Sequence, residues 1–272
     1  MYWEVIHCRE PEAEMRKLLH ALIGCVIMLS SWSVYCQEQT DVLFQFSTID
    51  ALLQGLYEGG MNFADLKLRG DFGLGTFHRL DGEMIGLDGA FYQVKSDGTV
   101  CHVSDEMMTP FAVVTFFEPD ETRVLEERMD LDQIETYLDA LVPTKNIFYA
   151  VKIEGQFLFV KTRSVPAQKR PYPPLSEVTA HQPTFSLYDV RGSMAGFRCP
   201  MYVEGINVPG YHFHFLSEER VAGGHVLEVQ TLKVTVEIDY TPKFTLVLPD
   251  QREFYEMDFS RNRKGSIEEV ER

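Results

Sequence analysis

A chain of 272 residues is long enough for one large domain or two small ones, and does not need disulfides or metals merely to stay folded. With 45% hydrophobic and 24% charged residues its composition is globular, which excludes a disordered, collagenous or polytopic membrane chain. Its 41 acidic side chains against 25 basic ones give a net charge of -16. No basic cluster offsets that charge, so nucleic acid is excluded as a partner.

Residues 1–36 read as an export signal: a basic start at Met15-Arg16-Lys17, a mostly apolar run from Leu18 to Leu29, and a more polar exit from Ser30 to Cys36. The run is too short to span a bilayer, so the mature chain is expected to have no stable membrane span. The acidic residues Glu4, Glu10, Glu12 and Glu14 have the wrong sign for a signal's leading edge and point to a true start at Met15. Leu22-Ile23-Gly24-Cys25 also fits a lipoprotein box, but cleavage near Ser33 or Cys36 leaves no apolar stub on the mature chain. Use of this segment implies a periplasmic or extracellular protein; otherwise it is cytoplasmic. Of five cysteines only Cys101 and Cys199 survive its removal, so one disulfide is possible and none is required.

Ser47-Thr48-Ile49-Asp50 resembles a helix N-cap ahead of the apolar Ala51 to Leu56. From Gly73 to Val94 the chain alternates, with Asp81-Gly82 and Asp88-Gly89 as turns, and reads as successive hairpins. Phe111 to Phe117 is a buried strand, and Asp130 opens a helix with Leu131, Ile134, Leu138 and Leu141 on one face, ended by Pro143. Ile147–Ile153 and Phe157–Val160 flank Glu154-Gly155 as a further hairpin. Four prolines between Ser164 and Pro174 suggest an irregular crossing between two halves, with a boundary near 170. Beyond it Thr184–Leu187, Met201–Ile206, Tyr211–Leu216, Val226–Val229 and Leu232–Tyr240 are strand-like. The fold class is therefore α+β: two subdomains (37–170 and 171–260) with mixed, largely antiparallel sheets, a few helices and a hint of duplication. A charged tail, 261–272, follows.

The sharpest chemical feature is Pro209-Gly210-Tyr211-His212-Phe213-His214 followed by Gly223-Gly224-His225. Residues two apart on a strand face the same side, so His212 and His214 present both imidazoles to one point. A turn between Ser217 and Gly224 can set His225 opposite them. Three converging histidines are the ligand set of a catalytic zinc or iron site with open positions. Carboxylates and a guanidinium would orient a substrate there; Glu83, between apolar residues, and Arg163, at the end of an apolar strand, are the candidates.

Several separated motifs occur in one order: Gly75-Thr76-Phe77 with Leu80-Asp81-Gly82-Glu83-Met84, Lys169-Arg170-Pro171-Tyr172-Pro173-Pro174-Leu175, Gly196-Phe197-Arg198-Cys199-Pro200, and Gly205 through His214 to Gly223-Gly224-His225-Val226-Leu227. Together they resemble the alpha-acetolactate decarboxylase family over roughly Leu43 to the C-terminus. The resemblance implies a two-subdomain mixed α/β protein, usually dimeric, that converts 2-acetolactate to acetoin and carbon dioxide with one zinc ion. It also implies His212, His214 and His225 as the zinc ligands, and Glu83, Arg163 and a C-terminal glutamate as catalytic groups. That last glutamate falls among Glu268, Glu269 and Glu271, with Glu271 favoured by its place after Ile267 and Val270. Glu218 and Glu228 are the next candidates.

Two other readings stay open. A cupin-like metal oxygenase or isomerase would use Gly205, His212, His214 and Glu218, although no histidine follows His225 to complete a second cupin motif. An exported metal- or carbohydrate-binding module without turnover is the other, and release of acetoin separates all three.

Overall fold

The computed structural model describes residues 40–260 and Val270. The export-like leader and the tail carboxylates Glu268, Glu269 and Glu271 lie outside the described residues. Strand β1 (Val42–Phe46) leads into helix α1 (Ile49–Leu53), whose N-cap is Thr48 rather than Ser47; the Thr48 hydroxyl accepts from the Ala51 amide at 3.2 Å. There follow β2 (Met61–Asn62), α2 (Phe63–Lys67), β3 (Phe72–Thr76), β4 (Glu83–Leu87), β5 (Ala90–Val94), β6 (Val100–His102), β7 (Met108–Thr109) and β8 (Ala112–Thr115). Asp88-Gly89 joins β4 to β5 with positive φ at both residues, 51° and 78°, the two-residue turn that suits strand twist and that Asp-Gly favours.

The second half of the order is β9 (Glu121–Leu125), α3 (Leu131–Leu141), β10 (Phe148–Arg163), α4 (Leu175–Thr179), β11 (Thr184–Cys199), β12 (Gly210–Ser217), β13 (Gly223–Thr241), β14 (Lys243–Val247) and α5 (Arg252–Tyr255). Helix α3 starts on a capping box in which Asp130 and Gln133 satisfy each other's backbone amides, and it stops at Leu141, two residues before Pro143.

Two large sheets result: seven strands ordered β14-β1-β8-β3-β4-β5-β6, and five ordered β10-β11-β12-β13-β9. Strand β10 also pairs with β13, so four strands of the second sheet close on themselves. The described pairings are antiparallel except that of β1 with β14. The fold class is thus the expected α+β. Strand parity sets the layers. Ile85 and Leu87 of β4 and Val113 of β8 meet Ala150, Ala195, Phe197 and Leu216 of the second sheet in the main core. Met84 and Val114 point the other way, onto Phe63 and Leu66 of α2. Tyr149, Val151 and Ile153 of β10 turn onto Phe213, Phe215 and the α3 residues Ile134 and Leu138.

Three sequence expectations are corrected. Glu154-Gly155 is no hairpin turn: β10 runs unbroken for 16 residues. Gly155 is there because a Cβ on it would lie 2.3 Å from the Lys233 carbonyl oxygen, so a close approach to β13 explains the glycine. The two segments read as Val226–Val229 and Leu232–Tyr240 are one 19-residue strand, β13. Met201–Ile206 is a 3-10 turn (Met201–Val203) and loop, not a strand. The proline-rich stretch is irregular, as its composition requires, but it links β10 to β11 within one sheet. Sheet membership changes instead before β9 and returns at β14. Cys101 and Cys199 are both free thiols.

Candidate metal centre and active site

The site is assembled as a row across the second sheet. His214 on β12 stands in register with His225 on β13, and His225 with Arg163 on β10. Directly opposed residues share a face, so two imidazoles and a guanidinium are aligned by strand register alone. His212, two residues before His214, lies on that same face. The glycine just before His225 makes the row possible: Gly224 has φ 128°, and a Cβ on it would lie 2.3 Å from the Arg163 carbonyl oxygen. Only a residue without a side chain lets β13 come that close to β10 here.

The ring nitrogens converge. His212 Nε2 lies 3.2 Å from His214 Nε2 and 3.0 Å from His225 Nδ1. Nitrogens bound tetrahedrally to one zinc at the usual distance would be about 3.3 Å apart, so these two spacings suit a shared ion, and all three ligand atoms lie within 4.8 Å of one another. His214 Nδ1 bonds the Met84 carbonyl oxygen at 2.8 Å. A carbonyl can only accept, so the proton sits on Nδ1 and the Nε2 lone pair faces the cluster. Withdrawal from water pushes the His212 imidazolium pKa down to about 3, with the nearby Arg163 charge adding to the shift. Burial, then His212 and Arg163, also lower His214 well below its ordinary range, against the opposing Met84 hydrogen bond. Both rings are therefore neutral at neutral pH, the form in which imidazole binds a metal.

The first sheet closes the other side. Glu83 opens β4 and brings Oε2 to 3.6 Å from His214 Nε2, and Thr76 faces Glu83 across the β3–β4 pair. The Thr76 hydroxyl donates to the Gly82 carbonyl at 2.7 Å and pins the turn that delivers Glu83. The cavity so formed is lined by Thr76, Glu83, Arg163 and the three histidines, with Leu80, Val165, Leu175 and Val270 as apolar walls. Arg163 is 3% exposed, and its Nη1 donates to Gln182 Oε1 at 2.8 Å. A second cavity reaches His212 and His225 from the α3 side, beside Tyr211, Asp132 and Glu135, where β12 and β13 part beyond the His214–His225 pair.

Among the predicted site residues, His212, His214, His225, Glu83 and Arg163 thus come together around one cavity. Glu271 lies outside the described residues, although its neighbour Val270 is buried in the cavity wall. The reserve candidates lie elsewhere: Glu218 is bound to Arg191 at 3.0 Å and Glu228 to Lys161 at 2.6 Å, both in exposed pairs. With Glu218 engaged at the surface, the cupin-like reading loses its carboxylate ligand. Thr76, Gln182 and the Met84 carbonyl were missed. Thr76 stands inside a quoted motif but carries no charge to mark it, and a backbone acceptor leaves no trace in sequence.

A metal-competent histidine triad, with His214 and His225 buried and His212 half-buried, facing an arginine and a glutamate across a small cavity defines an enzyme for small-molecule substrates. The family model of alpha-acetolactate decarboxylase matches residues 43–261. Alpha-acetolactate decarboxylase of Methanosarcina mazei is 49% identical over 233 residues, 86% of this chain and 81% of that one, and the Bacillus subtilis enzyme is 41% identical over 213 residues, 78% and 84% of the two chains. The chain belongs to the alpha-acetolactate decarboxylase family and is a carboxy-lyase with alpha-acetolactate decarboxylase activity. The fold agrees: the crystal structure of the enzyme from Bacillus subtilis strain 168 superimposes with a TM-score of 0.83 at 39% identity, covering 85% of this chain and 99% of that one. A Staphylococcus aureus protein of unknown function, described as similar to alpha-acetolactate decarboxylase, gives 0.79 at 32% identity, covering 84% and 98%.

Proposed function

We propose that the protein binds one divalent ion, zinc, through His212, His214 and His225 and converts (S)-2-acetolactate to (R)-acetoin and carbon dioxide. The observation that carries this reading is the row of His214, His225 and Arg163 in strand register, with His212 beside it and nitrogen spacings of 3.0 and 3.2 Å. Three imidazoles suit zinc, although copper competes for such a set. When bound, the ion supplies Lewis-acid stabilisation of the charge that develops on the substrate's keto oxygen.

The protein's own groups do the rest. Arg163 receives the substrate carboxylate with its planar fork and sets the carbon–carbon bond to be broken across the keto group. As that bond breaks, its electron pair moves into the keto group and leaves an enediolate, so the substrate is its own electron sink and no organic cofactor is required. Glu83 steers the ligand set from the opposite sheet. A fixed proton donor on one face of the enediolate gives a single enantiomer, and Glu271 of the tail is the residue assigned to it. Val165, Leu175 and Val270 exclude water from the cavity. The same reading takes the mature protein as an exported homodimer, on the strength of its signal-like leader and its family resemblance.

The test is direct. Purified protein should hold about one zinc per chain and release (R)-acetoin from (S)-2-acetolactate, measured by elemental analysis and chiral gas chromatography. A His212→Ala/His214→Ala double variant should lose both. Full zinc occupancy in that variant would refute the ligand assignment, and racemic acetoin from the wild type would refute a fixed proton donor.

A further inference from the structure

Gln182 lies three residues beyond α4, in the link to β11, and its side chain meets the cavity's only described guanidinium. Arg163 Nη1 donates to Gln182 Oε1 at 2.8 Å. A guanidinium has no acceptor, so the amide must present its oxygen here and its orientation is determined by chemistry. The segment carrying Gln182 is tied down on both sides: its amide nitrogen donates to Thr179 at 3.3 Å, and the Pro183 carbonyl accepts from Ser164, the residue after Arg163, at 3.3 Å. Leu175 and Val178 root α4 in the main core. The acceptor is thus held by packed structure. It is also neutral, so it fixes one arm of the fork and adds no negative charge to compete with an anionic substrate.

We infer that Gln182 is a positioning residue for the decarboxylation: it holds Arg163 Nη1 so that the guanidinium plane meets the substrate carboxylate in one orientation, and its neutrality preserves the pull on that carboxylate. This rests on the assignment of Arg163 as the carboxylate-binding group. Two substitutions separate orientation from charge. Gln182→Ala removes the acceptor and releases the Nη1 arm of the fork, lowering kcat about 10-fold, on the scale of a lost orienting contact. Gln182→Glu keeps an acceptor at the same reach but adds a charge, so it raises KM by about 10-fold or more and weakens inhibition by 2-hydroxyisobutyrate in parallel. A merely structural role would move neither ratio in this split fashion.

The experiment is steady-state kinetics on wild type, Gln182→Ala, Gln182→Glu, Arg163→Lys and Arg163→Lys/Gln182→Ala, each checked for metal content and urea midpoint. The double variant should be no slower than Arg163→Lys within about 2-fold, because the two residues act as one unit. If Arg163→Lys is impaired while the Gln182 variants keep wild-type kcat and KM, or if the losses multiply in the double variant, the Gln182 inference is overturned and the reading of Arg163 stands. If Arg163→Lys itself is unimpaired, both are overturned.

Discussion

In the proposed reaction Arg163 is the residue that orients the substrate, and its chemistry is not shared by its nearest replacement. Lysine offers one ammonium on a flexible stem and cannot reproduce a planar, bidentate fork. Arg163→Lys is expected to lower turnover by about 100-fold, the scale of losing a preorganised donor, with zinc content and urea midpoint unchanged; wild-type kinetics would remove Arg163 from the site. Glu83 sits 3.6 Å from a histidine nitrogen of the cluster, so the proposed reaction gives it two jobs where Arg163 has one. Glu83→Gln should therefore weaken metal retention, followed by dialysis against a chelator, as well as turnover. The tail can be dissected in the same way: Glu271→Gln should reduce turnover and the enantiomeric purity of acetoin with zinc retained. Val270→Ala, which trims an apolar cavity wall, should affect turnover with the product's handedness intact.

At the level of elements, the site is a product of strand register, and register here depends on glycine. Gly224→Ala places a methyl group against the Arg163 carbonyl and forces φ 128° on a residue that resists it, so β13 must shift relative to β10. The variant should lose roughly 2–4 kcal/mol of stability and bind zinc poorly, read by denaturant midpoint and metal analysis together; normal binding would show that the His225–Arg163 pairing tolerates slippage. The same dependence explains what could be read from the chain beforehand. The His-x-His pair, the turn after Ser217 and the helix opened by Asp130 are local patterns, and local patterns are legible. The long strands were not, because Glu154-Gly155 looks like a turn until a neighbouring backbone is seen to need the space, and the polar pair Gln230-Thr231 interrupts the apolar run of β13. Strand β14 was missed for a related reason: Lys243–Val247 alternates exposed and half-buried residues and is a strand only because β1 lies beside it. Gln182 carries no signal at all, since its importance lies in a hydrogen bond to a residue 19 positions earlier.

At the scale of the whole molecule, the least comfortable carboxylate among the described residues is Asp239 on β13. It is fully buried, its Oδ1 has no hydrogen-bond partner among the described residues, and its Oδ2 accepts only a long bond from the Glu118 amide at 3.3 Å. Burial pushes its carboxyl up to about 7, reinforced by Asp120, Asp41 and Glu118 and opposed by the Glu118 amide. In the unfolded chain an aspartate titrates near about 3.9, so between that value and about 7 the folded state holds more protons than the unfolded one. Stability should therefore fall as pH rises through this window. Asp239→Asn removes the charge, and its urea midpoint should change less than that of the wild type between pH 5 and pH 8, with a gain of roughly 2–4 kcal/mol at the upper end. Parallel profiles for the two proteins would show that Asp239 is not the titrating group.

The parallel pairing of β1 with β14 has a bearing on how the chain is made. Val42 meets Lys243 in that ladder, so a strand synthesised early waits for a partner roughly 200 residues downstream, a separation that delays closure through loop entropy. Until Lys243–Val247 leaves the ribosome, β1 presents one open hydrogen-bonding edge flanked by the apolar Leu43, Phe44 and Phe46, the kind of edge to which other nascent chains adhere. Interrupted synthesis or a nonsense codon before residue 243 should therefore yield insoluble material rather than a less active enzyme, and supplying the missing strand as a separate peptide is the natural way to restore solubility.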